Sequence, residues 1–134
     1  MKKLLISTFA AAVILRFGAV NEVNADPLTY LEERETATIV KCDRNVSGEI
    51  VIPSIYNGKP VTLIADDSFS DCVNLLSVTI PEGVTRISSD AFNNCNSLQN
   101  IKVVEANSDY SSLDGVLFDK RKNHLVDAEK GGFS

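Results

Sequence analysis

The sequence predicts a mainly β fold with short helical turns, in which one small unit stacks on copies of itself as a short solenoid. Seven apolar or cysteine positions between Val61 and Ile80 recur between Val84 and Val103, each 23 residues later. This offset is far longer than the period of a helix or a strand, so it indicates a repeated structural unit. One unit has too few large apolar side chains to offset the entropy of ordering it, so it must stack on neighbours.

The repeated positions keep their chemical type from one copy to the next. The first copy has Val61, Ile64, Phe69, Cys72, Leu75, Val78 and Ile80, and the second has Val84, Ile87, Phe92, Cys95, Leu98, Ile101 and Val103. Phe69 and Phe92 are the largest of these side chains, so we expect each to fill the centre of one layer of the interior.

Each unit is expected to contain two short strands and one helical turn. The strands are predicted at Leu75–Ile80 and Val84–Ile87, with a turn at 81–83 between them. Residues 88–90, Ser-Ser-Asp, have the side chains that begin a helix, so we predict one helical turn at Ala91–Cys95.

Residues 1–25 have the pattern of a signal peptide. Met1-Lys2-Lys3 is a basic start, and an apolar run follows from Leu4 until Arg16 interrupts it. That run is too short for the alternative, a membrane anchor that spans the bilayer. Cleavage before Asp26 would give a protein that is secreted or held at the bacterial cell surface or in the periplasm.

Residues 26–47 are expected to form an N-terminal capping hairpin. The stretches 28–30 and 36–40 are rich in β-prone residues, and the charged segment 32–35 separates them. A hairpin here would cover the first layer, which would otherwise expose an unpaired strand edge.

Residues 48–106 contain the repeat layers, or rungs. Ile52-Pro53 matches Ile80-Pro81 and starts the stack one rung early, with a turn-forming insertion at 56–60. Residues 107–134 depart from the repeat, and we expect a hairpin-like tail. Its end carries no recognisable cap, which favours a truncated chain.

The repeat resembles the 23-residue leucine-rich repeat of BspA-type bacterial surface proteins. The matching residues are Ile80, Pro81, Val84, Ile87, Ala91, Phe92, Cys95, Leu98 and Ile101, with Val61, Ile64, Phe69, Cys72, Leu75 and Val78 in the preceding copy. Asn107–Phe118 is similar to a segment that often interrupts such arrays. Ala65 and Ser88 stand where the family often has glycine. The resemblance implies surface exposure and adhesion or protein binding, with no catalytic residues to assign.

Composition and charge disfavour several classes of partner. The net charge is −5, so nucleic acid or an anionic membrane held by charge is not expected. The sequence has no HExxH, Cys-x-x-Cys or phosphate-cradling glycine loop, so we expect no metal and no cofactor. The expected partner is a protein or cell-surface ligand, without membrane insertion once the signal peptide is removed.

Histidine and cysteine could carry chemistry, but their context favours structural roles. His124 is the only histidine and lacks the flanking residues of a nucleophile elbow or a cysteine protease. Cys72 and Cys95 are equivalent in the repeat, so their side chains should lie alongside each other. This arrangement favours buried thiols over a disulfide. The state of Cys42, outside the pattern, is left open.

Four aspartates suggest a calcium site, but a solvated surface explains them better. Asp66, Asp67, Asp71 and Asp90 are close in sequence or offset by one repeat. Their spacing does not match the oxygen-ligand loop of calcium-binding proteins. We therefore interpret them as part of a solvent-facing surface.

Binding is expected on the outward face of the strands. Leu75, Val78 and Ile80 should point inward, so Ser77 and Thr79 should point outward. The equivalent residues of the neighbouring rungs should point the same way. The predicted binding residues are Glu49, Val51, Ser77, Thr79, Asn100 and Lys102. Curved solenoids commonly bind through such a face. The alternative is a set of ordinary solvent-facing residues.

These observations predict an exported, non-catalytic leucine-rich-repeat module for protein binding or cell-surface adhesion. One alternative is the N-terminal cap and first repeats of a longer surface protein. Another is an enzyme, or a targeting module attached to one. An activity that disappears in His124→Ala would favour the enzyme.

Overall fold

The computed structural model describes residues 25–121 and 124–125, which form strands and turns and contain no helix. The strands are β1 (Leu28–Glu32), β2 (Ala37–Cys42), β3 (Ser47–Val51), β4 (Ile55–Tyr56), β5 (Lys59–Ile64), β6 (Asn74–Ile80), β7 (Arg86–Ile87), β8 (Asn100–Val103), β9 (Tyr110–Leu113), β10 (Val116–Asp119) and β11 (His124–Leu125). Apart from Ala25, the predicted signal peptide lies outside the described residues.

Two parallel ladders of strands hold the stacked rungs together. One ladder is β3-β6-β8, and the other runs from β2 through β5 to β7. Val78 pairs with Ile101, and Ile64 pairs with Ile87, each partner lying 23 residues further along the chain. The predicted mainly β fold with stacked repeats is therefore confirmed.

The interior consists of the repeated apolar side chains in layers. Phe69 and Phe92 are both buried, and their rings stack with centroids 5.0 Å apart and planes 24° apart. With one exception the repeated positions of both copies are buried; Val103 is only partly covered. The largest side chain of each rung thus fills the centre of its layer, as predicted.

A β-bulge at Leu76 explains how Leu75 and Val78 both point inward although they are three residues apart. Gly48 pairs with Leu75, but the next residue, Glu49, pairs with Ser77, so Leu76 is an extra residue in β6. Its side chain is 43% exposed, whereas Leu75 and Val78 are fully buried. The bulge restores the inward direction for the second half of the strand.

The predicted helical turn at Ala91–Cys95 is wrong, because the neighbouring rung uses the carbonyl groups that a helix would need. The N–H of Phe69 donates to the carbonyl of Ala91 at 2.8 Å, and the N–H of Asp71 donates to that of Asn93 at 2.9 Å. Asn94 has a positive φ of 60°, outside the helical range. The segment therefore folds as successive turns.

The N-terminal hairpin is formed by β1 and β2, which pair antiparallel. The insertion at 56–60 folds into a second, tight hairpin of β4 and β5, with Asn57 and Gly58 at positive φ in its turn. Tyr56 stacks on Tyr30 of β1, with ring centroids 3.8 Å apart. The insertion thus packs against the N-terminal hairpin, whose capping role stays a prediction.

The segment after the repeats covers the outer edge of the last rung. The N–H of Ile101 donates to the carbonyl of Gly115 at 2.9 Å, and the N–H of Val103 donates to Ser112 Oγ at 3.0 Å. Strands β9, β10 and β11 form an antiparallel sheet, and the hairpin-like tail expected over residues 107–134 stays a prediction. The sequence did not predict that β9 and the turn that follows it would accept hydrogen bonds from the edge of β8.

Gly115→Ala is expected to destabilise the protein clearly more than Gly58→Ala. Both glycines have φ above +80°, where an added Cβ is strained. At Gly115 a Cβ would also lie 2.6 Å from Asn100 Oδ1 and 2.9 Å from the carbonyl oxygen of Gln99, whereas at Gly58 it would meet nothing within 4 Å.

Chemical denaturation should therefore show a loss of about 1 kcal/mol for Gly58→Ala and roughly 2–3 kcal/mol for Gly115→Ala. The difference between the variants isolates the close approach of the 114–115 turn to β8. Equal losses would contradict that packing.

Candidate functional site

The six predicted binding residues lie in two rows across β3, β6 and β8. Ser77 pairs with Glu49 on one side and with Asn100 on the other, and Thr79 pairs with Val51 and Lys102 in the same way. Residues two apart on a strand share a face, so both rows are on one side of the sheet. The buried residues Ile50, Val78 and Ile101 form the intervening row and point to the core. We call these six residues the strand-face patch.

An ion pair crosses the strand-face patch diagonally. Lys102 Nζ on β8 lies 3.2 Å from Glu49 Oε2 on β3, so the pair spans β6. Both side chains are about half exposed, at 56% and 52%. The two opposite charges compensate each other, and an exposed ion pair of this kind contributes at most about 1 kcal/mol to stability.

Ser77 is buried, which corrects the prediction that it is exposed on the surface. It is only 7% exposed because it lies on the middle strand between the longer side chains of Glu49 and Asn100. Among the residues that the structure describes, its hydroxyl oxygen has no hydrogen-bond partner. Val51, at the margin of the patch, is 67% exposed and gives it an apolar part.

All three cysteines are buried free thiols, as predicted for Cys72 and Cys95. The Cys95 thiol donates to the carbonyl of Phe69 at 3.0 Å. Burial raises the pKa of Cys95 to about 12, so this thiol is protonated at neutral pH and is a poor nucleophile. Cys42, which lies outside the repeat pattern, is also buried, and Cys72 Sγ lies 3.8 Å from the carbonyl oxygen of the next residue, Asp43.

Two of the four aspartates accept side-chain hydrogen bonds, and the bond to Asp71 comes from the next rung. Asp71 accepts a hydrogen bond from Asn94 Nδ2 at 2.9 Å, and Arg44 Nη2 lies 3.6 Å from its other carboxylate oxygen. Asp67 accepts one from Ser70 Oγ at 2.9 Å. Within residues 25–121, there is no group of three or more acidic, histidine or cysteine side chains that could hold a metal ion.

Two further predictions concern His124 and the membrane. The backbone of His124 pairs with Asp119 in β11, but its side chain lies outside the described part of the chain. In the part that is described, there is no helix of the length and apolar character needed to cross a bilayer.

Comparison with known proteins identifies the repeat. The family model described as BspA type Leucine rich repeat region (6 copies) matches residues 48–124. Comparison with curated protein sequences gives no match.

Solved structures of bacterial leucine-rich repeat proteins are similar to this chain. One is a leucine-rich repeat protein of T. pallidum, with 28% identity and a TM-score of 0.56 over 64% of this chain and 41% of that one. A second, from Bacteroides capillosus, has 33% identity and a TM-score of 0.52, covering 62% and 65%. A leucine rich cell surface protein of Faecalibacterium prausnitzii has 31% identity and a TM-score of 0.50, covering 67% and 25%. The chain thus matches less than two thirds of the length of each.

Proposed function

The chain belongs to the BspA-type leucine-rich repeat family, and we propose that it is an exported, non-catalytic module that binds a protein or cell-surface ligand. Leucine-rich repeats generally mediate protein interactions, and one similar structure is described as a cell surface protein. The observation that carries the proposal is the strand-face patch, six residues in two aligned rows on three paired strands.

The chemistry of the strand-face patch suits a protein ligand. It combines the exposed apolar side chain of Val51 with the hydroxyl of Thr79, the amide of Asn100 and the Glu49–Lys102 ion pair. Protein interfaces combine an apolar anchor with polar groups in this way. Three strands spaced about 4.8 Å apart present a narrow face, which fits one extended segment or loop of a partner.

Lys102→Glu is expected to reduce ligand binding at least about tenfold while leaving the fold intact. The substitution removes the ion pair and places two carboxylates across β6, so the strand-face patch changes from one balanced pair of charges to two negative charges. Loss of an exposed pair costs at most about 1 kcal/mol, so the free energy of unfolding should change little. Binding and folding are therefore affected to different extents.

Binding can be measured with the immobilised protein and surface extracts from its natural milieu. Captured proteins are identified by mass spectrometry, and the affinity of each purified candidate is then measured. Arg86→Glu is the matched control because it makes the same change in charge at an exposed residue of β7, on the other ladder. Lys102→Glu binding as tightly as the unmodified protein would remove the strand-face patch from the proposal.

A second proposal is that these rungs belong to a longer surface protein or to a targeting module attached to an enzyme. The chain matches only 41% of the T. pallidum protein and 25% of the F. prausnitzii protein. Reading the coding frame past Ser134 tests this proposal directly. A further domain with catalytic residues would favour the targeting role.

A further inference from the structure

Each of the two parallel ladders has an outer strand at either end, and three of these four strands have a hydrogen-bond partner on their outer edge. Strand β2 pairs with β1, and the N–H of Ile87 in β7 donates to Tyr110 Oη. The N–H of Ile101 in β8 donates to the carbonyl of Gly115. Within the residues that the structure describes, β3 pairs with β6 alone. An uncovered strand edge is a template for pairing with another chain.

The register of β3 shows which of its backbone groups are available at this edge. The N–H of Ile52 donates to the carbonyl of Thr79 at 3.0 Å, so Ile52 and, two residues earlier, Ile50 direct their backbone groups towards β6. Successive residues of a strand direct these groups to opposite sides. The N–H and C=O groups of Glu49 and Val51 are therefore directed to the outer edge, where the described part of the chain gives them no partner.

The side chains along this edge are accessible and differ in character. Val51 is 67% exposed and Glu49 is exposed, whereas Ile50 between them is buried in the core. Lys102 Nζ lies 3.2 Å from Glu49 Oε2, and no described residue contacts Glu49 Oε1. The chain has a net charge of −5, so a basic group is favoured at this second oxygen.

We propose that the outer edge of β3 binds an extended segment of a partner protein as an additional strand. Read in the direction of β3, its three central residues are basic, apolar and apolar, and they lie beside Glu49, Ile50 and Val51. The basic residue pairs with the free carboxylate oxygen, and the apolar residue beside Ile50 extends the core. Main-chain hydrogen bonds to the edge provide affinity, and these three side chains provide specificity.

The proposal rests on the proposed function, because it specifies how a protein ligand is held. Glu49 and Val51 belong to the strand-face patch, so an added strand would lie directly beside the surface that is proposed to bind protein. The outer edge of β1 is the alternative template, but β1 belongs to the sheet of the other ladder. For this reason β3 is the preferred edge.

The experiment is a titration of the purified protein with the peptide acetyl-Thr-Thr-Lys-Ile-Val-Thr-Thr-amide, followed by NMR and amide hydrogen exchange. A peptide of this length should bind with a dissociation constant of about 1 mM. At about ten times that concentration, the amides of Glu49 and Val51 should exchange roughly tenfold more slowly. The same peptide with glutamate in place of lysine should bind more weakly.

Val51→Pro tests the edge itself. Proline removes the outward N–H of Val51, which the fold does not use, so the protein should remain folded while peptide binding is lost. Val51→Thr is the matched control, because it keeps both the N–H and the branched shape of the side chain, and it should still bind the peptide. Exchange in the unmodified protein decides the outcome even if Val51→Pro fails to fold.

Three results would overturn the proposal. Slow exchange at Glu49 and Val51 before peptide is added would show that the edge is already covered. The same conclusion would follow from protection of the β1 amides in place of these two, or from Val51→Pro binding the peptide as tightly as the unmodified protein.

Lys102→Glu separates this proposal from the role of the strand-face patch. Lys102 is on β8, two strands away from the edge, so the peptide should still protect Glu49 and Val51 in this variant. Protection in Lys102→Glu together with unchanged capture of the natural ligand would remove the strand-face patch and leave the edge site. Loss of capture without any protection by the peptide would do the reverse.

Discussion

Phe69→Ala is expected to lower the free energy of unfolding by about 3–5 kcal/mol. Phe69 is fully buried and stacks on Phe92, and its layer lies between neighbouring rungs that cannot collapse without breaking their backbone hydrogen bonds. The cavity left by the missing ring therefore remains largely unfilled. The loss is measured by chemical denaturation followed by circular dichroism.

Two further variants make this test specific. Leu76→Ala is the control, because it shortens a large apolar side chain that the β-bulge leaves exposed, and it should cost less than about 0.5 kcal/mol. A double-mutant cycle of Phe69 and Phe92 should give a coupling energy of about 0.5–1.5 kcal/mol. If Phe69→Ala were as mild as Leu76→Ala, the layered interior would be wrong.

Asn107→Ala is expected to cost about 3–4 kcal/mol and to loosen the segment that covers the last rung. Its side-chain nitrogen donates to the carbonyls of Pro81 and Val84 at 2.8 and 3.0 Å. Its side-chain oxygen accepts from the N–H groups of Asp109 and Tyr110, both at 2.8 Å. Alanine would remove all four hydrogen bonds from backbone groups that are buried or partly buried, which costs much more than losing one exposed hydrogen bond.

Hydrogen exchange distinguishes this effect from a general loss of stability. The Ile87 N–H donates to Tyr110 Oη at 3.0 Å, and the Ile101 N–H donates to Gly115, so both amides should exchange faster in Asn107→Ala. Asn96→Ala replaces an exposed asparagine and serves as the control. Unchanged exchange at Ile87 and Ile101 would show that Asn107 does not hold the segment in place.

The 23-residue spacing was sufficient to predict the register of the rungs and the stacking of Phe69 on Phe92. It could not predict the turns at Ala91–Cys95, because they depend on which carbonyl groups the next rung uses. Local sequence favours a helix start there, and the contact between rungs overrides it.

Parts of the candidate site were also beyond sequence reasoning. Alternation along β6 placed Ser77 on the outward face, but its burial depends on the size of its neighbours, Glu49 and Asn100. Cys42 was left out because no repeated position corresponds to it, although it belongs to the same buried core as Cys72. The carbonyl of Val84 accepts a hydrogen bond from Asn107, which lies 23 residues later in the chain. This repeat spacing was the signal in the sequence that could have indicated a role for Asn107.

The most direct test of the stacked repeat is a nuclear Overhauser measurement between the rings of Phe69 and Phe92. In protein labelled only at phenylalanine, the two spin systems are assigned with Phe69→Leu and Phe92→Leu. Ring centroids 5.0 Å apart predict strong cross-peaks between them. An absence of cross-peaks between two assigned, well-resolved rings would contradict the layered interior, and the alignment of the strand-face patch would lose its basis.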